Sequence, residues 1–276
     1  MKLDFSKAWN TITSLIGGNK DVVMIVAGVF FFLPYLVVML AMPEVTAVMQ
    51  GQFGDTQDPD AMMAAMQGAF QSYWWVFIVL GIIQYLGTLS LLALFTDHNR
   101  PTVGEAIGIG AARLVPYFVT VILMGVAIAV IAGLLATLGA VTGVGLVGFI
   151  AVMLAFVVAI YLFIKFSQVA PVMAIEGTSN PIKALSRSWA LTKGNSFRIL
   201  LFVLLIFIPL FIITSIVSMI FGLGFAAGGA SVATIGNGLV AALMNAVSGA
   251  VGAAILAAIY RQLAGDSPSA VSETFE

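Results

Sequence analysis

The sequence predicts an all-α integral membrane protein with six transmembrane helices, and three observations carry that prediction. Only 8% of its 276 residues are charged, against 61% hydrophobic. A soluble domain carries about 25% charged residues, so lipid must solvate most of this chain. Six apolar runs each reach the roughly 20 residues needed to cross a bilayer core. All 11 Lys and Arg fall on one side of the resulting six-span arrangement. The connections are too short for a separate soluble domain. Residues 1–276 therefore read as one polytopic domain, with a short tail over 262–276.

The spans are expected over 21–43, 73–95, 114–138, 145–169, 197–221 and 237–260. They are too long, and alternate too little, to be barrel strands. The first begins near Val22 after a polar amphipathic segment, so it reads as a retained helix and not a cleaved signal. Lys2, Lys7 and Lys20 precede this span, and Arg100 and Arg113 lie between the second and third. Lys165 closes the fourth; Lys183, Arg187, Lys193 and Arg198 separate it from the fifth; Arg261 follows the sixth. The opposite loops hold no Lys or Arg, and the first of them carries Glu44, Asp55, Asp58 and Asp60. Short loops rich in Lys and Arg stay cytoplasmic. The expectation is a bacterial inner-membrane protein with both termini in the cytoplasm. Aromatic anchors agree: Tyr73, Trp74 and Trp75 at one outer boundary, Tyr117, Tyr161 and Tyr260 at inner ones.

Three basic-side segments share a pattern, with amphipathic helices expected over 3–16, 102–113 and 180–194. Their apolar stripes are Phe5, Trp9, Ile12 and Ile16; Val103, Ile107, Ala111 and Leu114; and Ile182, Leu185 and Trp189. Thr102 and Glu105 have capping-box spacing, Asn180–Pro181 suits a helix start, and Gly194 suits a helix end. Each segment leads into a span, and the first and third then meet a proline at corresponding positions, Pro34 and Pro209. The unit is an interfacial helix followed by a transmembrane hairpin, used three times. The second copy departs most, its Pro116 falling early. Two readings stand for these helices. One is a collar that binds anionic lipid, with Trp9, Lys183, Arg187, Lys193 and Arg198 at the headgroups; the other is a cuff that seats the hairpins.

Little in the chain suggests catalysis. It has no cysteine and one histidine, His98, which excludes disulfides, cysteine nucleophiles and clustered histidine metal sites. No phosphate loop, dinucleotide fingerprint or zinc-protease motif is present, and no acid–base pair lies in the spans. No metal, cofactor or nucleic-acid partner is expected, and the chain reads as non-enzymatic. The polar residues within the apolar runs are Gln84, Asn237 and Asn245, which either line a cavity or bind neighbouring helices together. Pro34 and Pro209 should kink their helices, marking either a transport level or plain curvature. The sixth span carries a ladder of small residues through Ala241, Asn245, Gly249, Ala253 and Ala257. It suits a tightly packed central helix or a contact with a protein partner or second copy. In the outer loop, Met62 and Met66 share a face of a short helix that Asp58 or Asp60 would cap.

The segment APVMAIEGTSNPIKALSRSWALTKGNSFRILL carries a resemblance. Pro171 and Glu176 close the fourth span; Ala184, Leu185, Ser188, Trp189, Leu191, Thr192, Gly194 and Asn195 follow; AAIYRQLAG ends the last helix. In these features the chain resembles the bacterial membrane-domain family fused to some glycerophosphoryl diester phosphodiesterases, and its stand-alone relatives. The resemblance implies a helical membrane module and no activity, because the soluble catalytic domain of the fused relatives has no counterpart here. It makes Glu176 a candidate, either as a regulatory salt bridge or as a surface ion pair fixing the third amphipathic helix. The leading expectation is a module that binds or accommodates membrane lipid or another amphiphile, supporting transport or envelope homeostasis. A small-solute channel or transporter, and an immunity or assembly partner, are the alternatives.

Overall fold

A computed structural model of the chain describes residues 2–42, 45, 58–95 and 101–265. Glu44, Asp55, His98 and Arg100, and the tail from 266 onward, lie outside the described residues. The described chain is all-α. Its helices are α1 (Phe5–Gly18), α2 (Lys20–Ala27), a π-turn (Gly28–Phe32), α3 (Leu33–Ala41), α4 (Pro59–Leu94) and α5 (Val103–Val141). They continue with α6 (Gly145–Phe166), α7 (Val169–Ile175), α8 (Pro181–Thr192), α9 (Ser196–Ala226) and α10 (Ala230–Ala264). Six stretches are long and apolar enough to cross a membrane: Lys20–Ala41, Pro59–Leu94, Val103–Val141, Gly145–Ile175, Ser196–Ala226 and Ser231–Ala264.

Several boundaries differ from the sequence expectation. The second span starts fourteen positions before residue 73, because the Met62–Met66 helix runs into it without a break. Asp58 does cap that helix, its Oδ1 accepting from Asp60 N–H at 3.0 Å. The second amphipathic segment is likewise no separate helix. Its capping box forms as expected, Glu105 N–H donating to Thr102 Oγ1 and Thr102 N–H to Glu105 Oε2. From there α5 runs unbroken through Pro116 to Val141. No glycine or polar break separates that segment from the span, so helical hydrogen bonding propagates. The repeat of a discrete interfacial helix before a span therefore holds for α1 and α8 only. The fourth span breaks at Ser167–Gln168 before α7, and the fifth and sixth extend beyond their expected ends.

The chain divides into two compact units. The first holds Met1–Gly18, Leu89–Ile206 and Ala253–Glu276, and within it every described basic residue except Lys20. Here α5 and α6 form an antiparallel hairpin, and α7 and α8 pack at its end. Val169, Val172, Met173, Ala184, Leu191 and Tyr260 make the core of this end. The apolar windows of α5 and of α6–α7 are only 6% and 11% buried. Their side chains face outward, as they must where the solvent is hydrocarbon.

The second unit holds Asn19–Thr88 and Phe207–Gly252. Its first span changes winding at Gly28–Phe32, where Leu33 N–H reaches back five residues to Gly28 O. Pro34 explains the place. It has no N–H to give the preceding turn, and a π-turn relieves the clash of its ring with that turn. Pro209 has no such effect: it sits exposed within a continuous α9. The expected equivalence of the two prolines fails: half-buried Pro34 stands just after a π-turn, whereas exposed Pro209 lies in regular α-helix.

Candidate functional site

The polar chemistry of the first unit gathers where α6 ends and α8 begins. The last carbonyls of any helix lack intrahelical partners. Here Ser188 Oγ donates to Lys165 O at 2.8 Å and accepts from Gln168 N–H at 3.2 Å, while Thr192 Oγ1 adds a 3.3 Å bond to Lys165 O. One buried hydroxyl thus bridges both sides of the Ser167–Gln168 break. Asn180 caps α8, its Oδ1 accepting from Lys183 N–H at 3.0 Å, and Gly194 ends the turn after it at φ +78°. That left-handed conformation strains any residue with a Cβ.

The apolar stripe of α8 faces away from the protein, as an interfacial helix requires. Ile182 and Trp189 are exposed and Leu185 only half-buried, whereas Ala184, Ser188, Leu191 and Thr192 are buried. In lipid an apolar stripe gains nothing by facing protein, while small and hydroxylated residues permit close approach and hydrogen bonding. The first amphipathic helix is rotated similarly: Ala8, Ile12 and Leu15 are buried and Trp9 is exposed. The residues behind the family resemblance are thereby accounted for by architecture. Pro171, Ala184, Ser188, Leu191, Thr192 and Asn195 are buried, and Leu185 packs against the core of α7 and α8.

Asn195 carries the network to the start of the chain. Its Oδ1 accepts from Leu3 N–H at 2.9 Å, and Arg198 donates to Leu3 O at 3.1 Å. The Gln262 side-chain amide makes paired 2.9 Å bonds to the backbone of Asp4. Phe5 lies 5.4 Å from Phe202, ring centre to ring centre. An open groove of about 770 Å³ runs beside this anchor, lined by Lys2, Leu3, Asp4, Phe5, Phe197, Arg198 and Leu201. Phe197 is 70% exposed.

Glu176 forms the surface ion pair, accepting from Arg187 Nε at 2.8 Å and from Tyr260 Oη at 2.8 Å. Both charged side chains keep water contact, at 41% and 27% exposure, so screening limits the strength of the pair. The tyrosine was not foreseen as Glu176's partner, since nothing in the sequence joins positions 84 residues apart. Arg261 donates to Phe95 O, and Arg113 to Ser179 Oγ. Lys183 and Lys193 are exposed.

Of the candidates in the second unit, Asn245 has a defined role: its Nδ2 donates to Phe31 O at 3.0 Å. That bond joins two helices, so Asn245 acts as helix glue. Asn237 is exposed beside Gly222, and Gln84 is half-buried, its carbonyl accepting from Thr88 Oγ1 at 2.9 Å. Of the small-residue ladder of α10, Ala253 and Ala257 are buried and Ala241, Asn245 and Gly249 half-buried, while the adjacent row of Ala242, Ala246, Ala250, Ala254 and Ala258 is buried throughout.

Residues 106–263 match the family described as a domain of unknown function, DUF7847. Neither a curated protein nor a solved structure matches the chain. The likeness to the phosphodiesterase membrane domain therefore rests on the motif residues alone.

Proposed function

The chain belongs to the DUF7847 family, which brings no activity with it, and from that premise we propose a non-enzymatic inner-membrane module that binds lipid. The observation supporting this reading is the groove of Lys2, Phe5, Phe197, Arg198 and Leu201. It joins cationic groups to exposed aromatic and aliphatic surface at the first turn of a span. Anionic headgroups favour basic residues at that depth, and acyl chains favour the apolar wall below. Asp4 in the same groove limits its net charge and its pull on simple anions. The basic end then belongs at the cytoplasmic face, with both termini there. The likeness to the phosphodiesterase membrane domain is retained as a proposal of shared architecture, without catalysis.

Native mass spectrometry of the full chain, released gently into detergent without added lipid, tests the proposal. A defined co-purifying phospholipid, weakened by Lys2→Gln with Phe197→Ser, is the expected result. A clean apoprotein, or adducts indifferent to every basic or aromatic substitution, would overturn it.

A further inference from the structure

We infer that Lys165, seated over Tyr161 and Trp189 beside Lys193, is a binding site for the phosphodiester of an anionic phospholipid. The inference rests on the lipid-binding reading above and names a second, separate site for it.

Lys165 is 3% exposed, at the end of α6. Its ammonium stands 5.5 Å from the centre of the Tyr161 ring and 5.1 Å from that of Trp189. The two rings meet edge to face at 6.1 Å, and Phe166 closes on Trp189 at 5.8 Å. Among the described residues no carboxylate and no hydrogen-bond acceptor meets the ammonium. The nearby charge that bears on it is another cation, Lys193. Contact with ring faces returns only about 0.5–2 kcal/mol, which leaves the ammonium able to gain more from an anion. Two lysines that repel are stabilised together by one anion reaching the part of the Lys165 ammonium that its rings leave open.

The surroundings are held in place for this. Ser188 and Thr192 bind the carbonyl of Lys165 itself, so the helix bearing Trp189 is fixed to the residue whose ammonium it covers. Glu176 is not free to neutralise the pair, being engaged by Arg187 and Tyr260.

A phospholipid fits better than free phosphate because of what adjoins the cation. Leu154, Val157 and Tyr161 are 50%, 60% and 46% exposed, at a spacing that puts them on one face of α6 leading to Lys165. An acyl chain laid along that face brings its phosphodiester to the ammonium, at the level where Trp and Tyr gather in membrane proteins.

The full chain in neutral detergent is titrated with phosphatidylglycerol and, separately, with phosphatidylcholine of the same acyl chains, and bound lipid is counted by native mass spectrometry. Wild type is expected to prefer phosphatidylglycerol. Lys165→Met, which keeps the stem's volume, should weaken that adduct about tenfold, the effect of losing one charge-assisted contact, while Lys165→Arg retains it. Exposed Lys193→Met reads the same site if Lys165→Met fails to fold. Folded variants that bind phosphatidylglycerol as wild type does would overturn the site and leave the groove reading standing. Wild type that binds no phosphatidylglycerol would overturn both. Displacement of the lipid by equimolar inorganic phosphate would overturn the lipid as ligand.

Discussion

Asn245 donates its side-chain amide to the main-chain carbonyl of Phe31, and the ring of the same Phe31 lies against Gly249, one turn further along α10. Phe31 is 3% exposed, and a Cβ placed on Gly249 would clash with its Cδ1 and Cε1. Gly87 of α4 meets the same turn, where a Cβ would stand 2.5 Å from Phe30 Cβ. A π-turn, a phenylalanine and two glycines thus lock three spans of the second unit.

This lock predicts an unequal pair of substitutions. Gly249→Ala should lower stability by about 1–3 kcal/mol through overpacking. Gly252→Ala, whose Cβ would meet Phe207 at an ordinary 3.8 Å, should be near neutral. Thermal unfolding in one detergent compares them, and equal melting points would show that Phe31 is not clamped.

Asn245→Leu should cost about 1 kcal/mol, in keeping with interhelical hydrogen bonds in membrane proteins. Hydrogen exchange should rise at residues 28–34 more than elsewhere, because the Phe31 carbonyl loses its external donor.

Ser188→Ala removes a donor from Lys165 O and an acceptor from Gln168 N–H, both buried. Lys165 O keeps its bond from Thr192, so the cost is that of leaving Gln168 N–H unpaired, about 1–3 kcal/mol. Glu176→Gln should cost about 1 kcal/mol or less, since its pair is half in water. The Glu176 effect should shrink in high salt and the Ser188 effect should not. Denaturation of both variants at two salt concentrations checks the contrast.

The proposed orientation is open to direct labelling. The chain has no cysteine, so single cysteines at Gln57 and Ser186 can be probed with an impermeant thiol reagent in intact spheroplasts. Gln57→Cys should react and Ser186→Cys should not; the reverse pattern would invert the topology.

What the sequence revealed about this fold follows from which interactions are local. Span number came from hydropathy, and the Thr102–Glu105 and Asn180 caps from spacing, because each is decided within a few residues. The exposed stripe residues Trp9, Ile182 and Trp189 agree with interfacial helices, whereas the small buried face of Ala184, Ser188 and Thr192 opposite them had no signal in hydropathy. Pro34 and Pro209 look alike in sequence and differ in structure: the π-turn before Pro34 packs against distant Asn245, Gly87 and Gly249, while Pro209 sits exposed. In sequence Lys165 is one more basic residue at the close of the fourth span. That Trp189 covers it is set by a hydroxyl 23 positions away.

The π-turn at Gly28–Phe32 also acts as a phase shift. One extra residue in a helix rotates everything after it by about 100°. Val38 and Met39 are buried in register with that rotation, while Val37 and Leu40 look outward. Deleting one residue between Gly28 and Phe32 would restore regular winding and turn α3 like a key. The inward pair would swing toward lipid, and the core of Val38, Val45, Val76 and Leu80 would lose its first member. This span can therefore accept point changes on its outer face more readily than any change in length at its bend.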